Sequence, residues 1–154
     1  MPKFPHYYRY LDRQMWELPP MRQDKKGSSS PSIVNILSAI SDDKALTLFK
    51  TIAFENTDSD TLLDRTKLTR KQYYSRIADL IKAGLVKRRG GSYFLTAAGK
   101  IVYDSQILIE TAINNYWKLK VIDSLDSKDL SKDEYAKVVN TLIDNTKLRE
   151  IILT

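Results

Sequence analysis

Fourteen residues in the middle of the chain, from Ala83 through Gly84-Leu85-Val86 and Gly90-Gly91 to Leu95-Thr96, leave it few folds to choose from. Gly84 follows an amphipathic run and stands where a helix ends on a residue with positive φ. Leu85 and Val86 then begin a strand, and Gly90-Gly91 supply the positive φ angles of a tight primed turn, so residues 86–95 read as a two-stranded hairpin. Thr96 is the residue type that opens another helix. Helix, hairpin and helix therefore follow one another with no room for a linker.

The flanking segments extend this order. Thr69 reads as an N-cap, and Tyr73, Ile77, Leu80 and Ile81 at spacings i, i+4, i+7, i+8 make one apolar face of a helix over 69–83. Before it, one of Thr57, Asp58 or Ser59 is placed to cap a short helix through Leu62, Leu63 and Arg65. The run 55–60 (ENTDSD) starts like a calcium loop, but Leu63 stands where that loop needs glycine, which excludes calcium. Ser41 is expected to cap a helix with Asp42 and Asp43 in its first turn, where the dipole favours anions, and with Leu46, Phe49, Ile52 and Ala53 buried. Ile33, Val34, Ile36, Leu37 and Ile40 form a short apolar helix after Pro31.

Downstream of Thr96, apolar residues recur from Ile101 to Ile122. If continuous to Ser124, this helix is roughly 40 Å long at ~1.5 Å per residue, more than a small domain can cover, so part of it must meet another helix or another subunit. Ser131 and Glu134 make a capping box for a helix with Tyr135, Val138, Val139, Leu142 and Ile143 inward. Residues 148–153 fit a helical turn or a strand equally well. Residues 1–31 are interrupted by five prolines and read as an arm and linker with a short helix over 8–18. Its aromatics (Tyr7, Tyr8, Tyr10, Trp16) suit docking on the body or stacking on a nucleic acid. The expected fold class is mainly α with a small β-hairpin, divided into an arm (1–31), a helix-turn-helix with a wing (32–99) and a C-terminal helical extension (100–154).

Composition removes several function classes. The chain has no cysteine and one histidine, His6, so disulfides, thiolate metal sites, cysteine nucleophiles and a histidine metal cluster are all excluded. Phosphate loops and paired-carboxylate motifs are missing too, which argues against an enzyme, a cofactor or a bound metal. No apolar run approaches the ~20 residues that span a bilayer, and there is no secretory h-region; the expected location is cytoplasmic, with no membrane partner.

Charge gives the positive indication. The net charge of +6 is unevenly spread: residues 66–100 hold nine cations against a single anion, Asp79. A local field of this kind attracts polyanions. On the 69–83 helix, the face away from Tyr73, Ile77 and Leu80 carries Arg70, Lys71, Gln72, Tyr74, Ser75 and Arg76, which combine base-edge readers with phosphate donors in its first two turns. Lys87, Arg88 and Arg89 put cations on the hairpin, and free backbone N–H groups at Thr69 suit a phosphate.

The pattern Leu68-Thr69-x-x-x-Tyr73-x-x-x-Ile77-x-x-Leu80-x-x-Ala83-Gly84-Leu85-Val86, followed by Tyr93-x-Leu95-Thr96-x-x-Gly99, resembles the recognition helix and wing of archaeal and bacterial winged-helix transcription regulators, the broad MarR/ArsR/PadR-like group. It covers about a third of the chain. The resemblance implies groove-facing positions for Gln72, Tyr74 and Ser75, with Arg70, Lys71 and Arg76 beside them, and core positions for Tyr73, Ile77 and Leu80. It also implies a dimerisation role for the long helix, through Ile101, Leu108, Ala112, Ile113, Tyr116 and Trp117. Tyr74 departs from the small polar residue common at its position, and the sensing cysteines and metal ligands of some ArsR-like members are absent. The expected function is sequence-specific binding of double-stranded DNA by a homodimeric transcription regulator, with helix 69–83 in the major groove and wing 86–95 on the backbone or minor groove. A winged-helix protein–protein interaction module is the alternative. No small-molecule effector is indicated.

Overall fold

A computed structural model describes residues 30–54, 58–125 and 130–154; the expectations for the arm before residue 30 and for Thr57 lie outside them. Pro31–Thr154 form one compact unit. It is mainly helical, with a small antiparallel hairpin, in an order compatible with a winged helix. No helix among the described residues is long and apolar enough to cross a membrane.

Local capping sets most of the boundaries. α1 (Ile33–Ala39) starts at Ser32, whose hydroxyl accepts the Asn35 N–H at 3.1 Å. α2 (Asp43–Phe54) starts one residue later than expected: the cap is Asp42, whose carboxylate accepts the Ala45 N–H at 2.8 Å, not Ser41. The shift has a physical reason, since a charged acceptor binds the orphan N–H groups more strongly than a hydroxyl does. α3 (Ser59–Thr66) is capped by Asp58. It ends on Lys67, held at φ 50°, a left-handed conformation that L side chains adopt at a cost of ~1 kcal/mol. The chain then turns through Leu68 into α4 (Arg70–Lys82), which opens with a full capping box of Thr69 and Gln72.

α4 stops as the sequence requires. Gly84 has φ +75°, its N–H reaches the Ile81 carbonyl, and the Leu85 N–H reaches the Leu80 carbonyl, the two bonds of a Schellman motif. β1 (Val86–Arg89) and β2 (Ser92–Leu95) pair with Lys87 opposite Phe94 and Arg88 opposite Tyr93, across Gly90 and Gly91, which both have positive φ. Asp58 adds a bridge to Ser92. α5 (Ala97–Asn114) follows, capped by Thr96. The Thr96 hydroxyl also donates to the Gly84 carbonyl at 2.6 Å, and its backbone N–H donates to the Leu85 carbonyl at 3.0 Å. One residue thus ties the end of α4, the start of β1 and the start of α5 together. Gly99 lies so close to this knot that a Cβ there would stand 2.0 Å from the Leu85 carbonyl oxygen.

The long C-terminal helix is not continuous. It breaks at Asn115, and α6 (Tyr116–Asp123) starts afresh. The Asn115 side chain donates to the Thr111 carbonyl at 2.8 Å, a local bond that competes with the helical ladder. α7 (Lys132–Leu142) carries the expected Ser131/Glu134 capping box, and the final segment is helical, α8 (Thr146–Leu153).

Two apolar clusters hold the unit together. The first joins Leu48, Phe49 and Ile52 of α2, Leu62 of α3, Tyr73, Ile77 and Leu80 of α4, and Leu85, Val86 and Tyr93 of the hairpin. Burial there pushes the Tyr73 hydroxyl above the usual phenol range. Ile81, expected on this face, is exposed instead, because the stripe that the cluster covers is narrower than the apolar pattern. The second cluster joins Ile122 of α6 to Val139 and Ile143 on and after α7 and Leu148 of α8, with Leu108 and Ala112 of α5 packed against it. Gln106, between the α5 residues that serve the two clusters, is buried with neither end of its amide hydrogen-bonded among the described residues.

Candidate nucleic-acid interface

The residues expected to read DNA divide into those that face solvent and those already occupied. Thr69 fixes the start of α4 by accepting the Gln72 N–H at 3.3 Å. Beyond that cap, Arg70, Lys71, Tyr74 and Ser75 are exposed on the first turns. The Tyr74 ring is 59% exposed yet oriented, since it meets the buried Tyr73 edge-on at 5.3 Å. With Ala78, also exposed, these residues form an outward strip consistent with helical spacing.

Gln72 and Arg76 are turned inward. The Gln72 carbonyl oxygen accepts the Thr69 backbone N–H at 3.3 Å and the Lys44 ammonium at 3.4 Å. Arg76 donates to the Asp42 carboxylate at 3.2 Å and to the Gln72 backbone carbonyl at 3.4 Å. The Ala45 N–H, and then Arg76, hold the Asp42 carboxyl below the usual carboxylate range. Cap, glutamine, arginine and aspartate thereby lock the α2–α4 junction rather than project from it.

The hairpin cations also divide, by the two-residue alternation of a strand. Arg88 lies over the Tyr93 ring, 5.8 Å from its centroid. Lys87 and Arg89 take the other face, with Phe94. Sequence reasoning missed three neighbours on that side, Lys100, Tyr103 and Asp104 of α5, which share a groove with them. The i, i+2 spacing of Lys87 and Arg89 and the i, i+4 spacing of Lys100 and Asp104 were the available signals.

The proposed dimer residues separate in the same manner. Leu108 and Ala112 pack within the chain against the second cluster. Ile101, Ile113 and Trp117 are 69%, 64% and 79% exposed, and Tyr116 is exposed beside Trp117, 5.5 Å away and edge-on. No family model, curated protein or solved structure matches the chain.

Proposed function

We propose that this chain is a winged helix that binds double-stranded DNA as a sequence-specific, homodimeric transcription regulator. The observation that carries the reading is the outward strip of Arg70, Lys71, Tyr74 and Ser75 at the N-terminal end of α4, within a segment of nine cations and one anion. A helix of this width fits the major groove, where arginine suits guanine edges and a tyrosine ring suits a thymine methyl. The Arg70 and Lys71 backbone N–H groups, which the Thr69–Gln72 capping box does not engage, meet a phosphate, and Arg88, with Lys87 and Arg89, meets the backbone or the adjacent minor groove. Asp42 already neutralises Arg76, so Arg70 and Lys71 carry the affinity.

The apolar residues left on α5 and α6 support the two-fold partner. Ile101, Ile113, Tyr116 and Trp117 lie outside both clusters, and the exposed Ile113, Tyr116 and Trp117, neighbours along the chain, give an apolar surface of the kind that marks an interaction site. A second copy would place two α4 helices on half-sites about one DNA turn apart. A protein–protein module remains the competing reading, favoured by the same exposed Trp117.

Titration of labelled duplex at several salt concentrations tests the proposal. Arg70→Ala with Lys71→Ala should lower affinity and flatten the slope of log K against log salt by roughly two units, at about 0.9 per phosphate contact. A slope unchanged by the double variant refutes the assignment of this face. Selection from random duplexes should return a palindrome.

A further inference from the structure

The side of the hairpin that faces away from Arg88 forms a separate open groove of about 760 Å³ with the C-terminal end of α2 and the first turns of α5. Its volume falls within the roughly 300–1,000 Å³ of small-molecule sites. Three chemically distinct parts meet in it. Lys87, Arg89 and Lys100 are exposed cations with no ion-pair partner among the described residues. Phe94 and Tyr103 are half-buried and give an aromatic floor. Tyr103 is fixed edge-on by Phe49 at 6.3 Å and Phe54 at 6.1 Å, so its ring is positioned before any ligand arrives. Asp104 is the single acceptor among these charges.

A ligand that satisfies all three parts carries several negative charges, a flat ring and a hydroxyl donor. We propose that the groove is a binding site for a nucleoside polyphosphate. The base stacks on the Phe94 and Tyr103 rings, in the manner of base–aromatic contacts elsewhere. The phosphates take charge-assisted bonds from Lys87, Arg89 and Lys100. A ribose hydroxyl donates to Asp104. An inorganic anion would leave the rings and the carboxylate unused, and a neutral aromatic would leave the cations unused.

The site stands apart from the proposed DNA face, because Lys100, Asp104 and Tyr103 lie on α5, away from the outward strip of α4. The two touch only through Lys87 and Arg89. A bound polyphosphate occupies two of the three hairpin cations, so it should compete with duplex DNA wherever the hairpin contacts phosphates.

Calorimetric titration of the full chain with adenosine triphosphate, adenosine and inorganic tripolyphosphate tests this. The triphosphate should bind at least ~10-fold more tightly than either fragment, a margin of about 1.4 kcal/mol. Lys100→Ala should weaken it by about tenfold while leaving α4-dependent duplex binding unchanged; Arg70→Ala with Lys71→Ala should do the reverse. Tripolyphosphate binding as tightly as the nucleotide, no nucleotide binding at millimolar concentration, or an affinity indifferent to Lys100→Ala each overturns the proposal. Because the two variants report on different faces, loss of one activity is distinguishable from loss of the other.

Discussion

The two apolar clusters differ in how completely they close. The first draws on four helices and the hairpin; beside it α4 and β1 turn cations to solvent, while Ile33, Val34 and Leu37 of α1 and Phe54 of α2 stay exposed. The second has four buried residues, and the helices that supply it, α5 and α6, still expose isoleucines and a tryptophan. The contrast separates two uses of a surface. Beside the larger core, the face of α4 and the hairpin carries cations, which under the proposed function meet a polyanion. Beside the smaller one, the leftover face of α5 and α6 is apolar, which under the proposed function is where a second copy docks. Hydrophobic burial is roughly proportional to area, so the first region, with the larger buried set, owes more of its stability to its own chain, and the proposed association would add to the second.

Substitutions can break this comparison. Phe49→Ala, in the closed cluster, should cost about 3–5 kcal/mol in chemical denaturation. Trp117→Ser, on the open face, should change monomer stability by less than ~0.5 kcal/mol and instead lower the mass seen by sedimentation. A large stability loss from Trp117→Ser would show that the open face is covered after all. Gly99→Ala sharpens the boundary between the regions. Within a helix this change ordinarily stabilises by about 1 kcal/mol; here the Leu85 carbonyl blocks the new methyl, and a loss of about 1–3 kcal/mol is expected. Gln106→Leu should raise stability by about 1–2 kcal/mol, since it removes a buried amide without hydrogen-bond partners among the described residues.

Smaller effects belong to the turn between α3 and α4 and to the α2–α4 junction. Lys67→Gly should stabilise by up to ~1 kcal/mol by relieving the left-handed lysine. Asp42 has a lowered folded pKa, so its contribution is present above its ordinary value of 3.8 and disappears as the pH falls through the lower folded value. Asp42→Asn should therefore flatten the acid limb of stability against pH. It should also free Arg76, which can then be read as an increase in salt-dependent duplex affinity.

The parts of the molecule that were legible in the sequence are those fixed by near neighbours. Thr69 and Gln72, Ser131 and Glu134, Gly84, and the Gly90-Gly91 turn each act over three or four residues, and residue type suffices to read them. Arg76 and Gln72 illustrate the converse. Both carry the chemistry of DNA readers, but their partners Asp42 and Lys44 lie 34 and 28 residues away, and no local pattern encodes such a pairing. The same limit hid the groove beside Lys100, which needs α2, the hairpin and α5 in place. The helix break at Asn115 was missed because the apolar periodicity runs on across it, while the one local mark, a polar side chain that shares the Thr111 carbonyl with its own backbone N–H, is not encoded by periodicity.

Thr96 joins three elements through one hydroxyl and one amide, and Gly99 lets α5 press against the same spot. In mechanical terms this is a welded corner. A torque applied to α5 near its start passes through this corner to the end of α4 and the start of the hairpin.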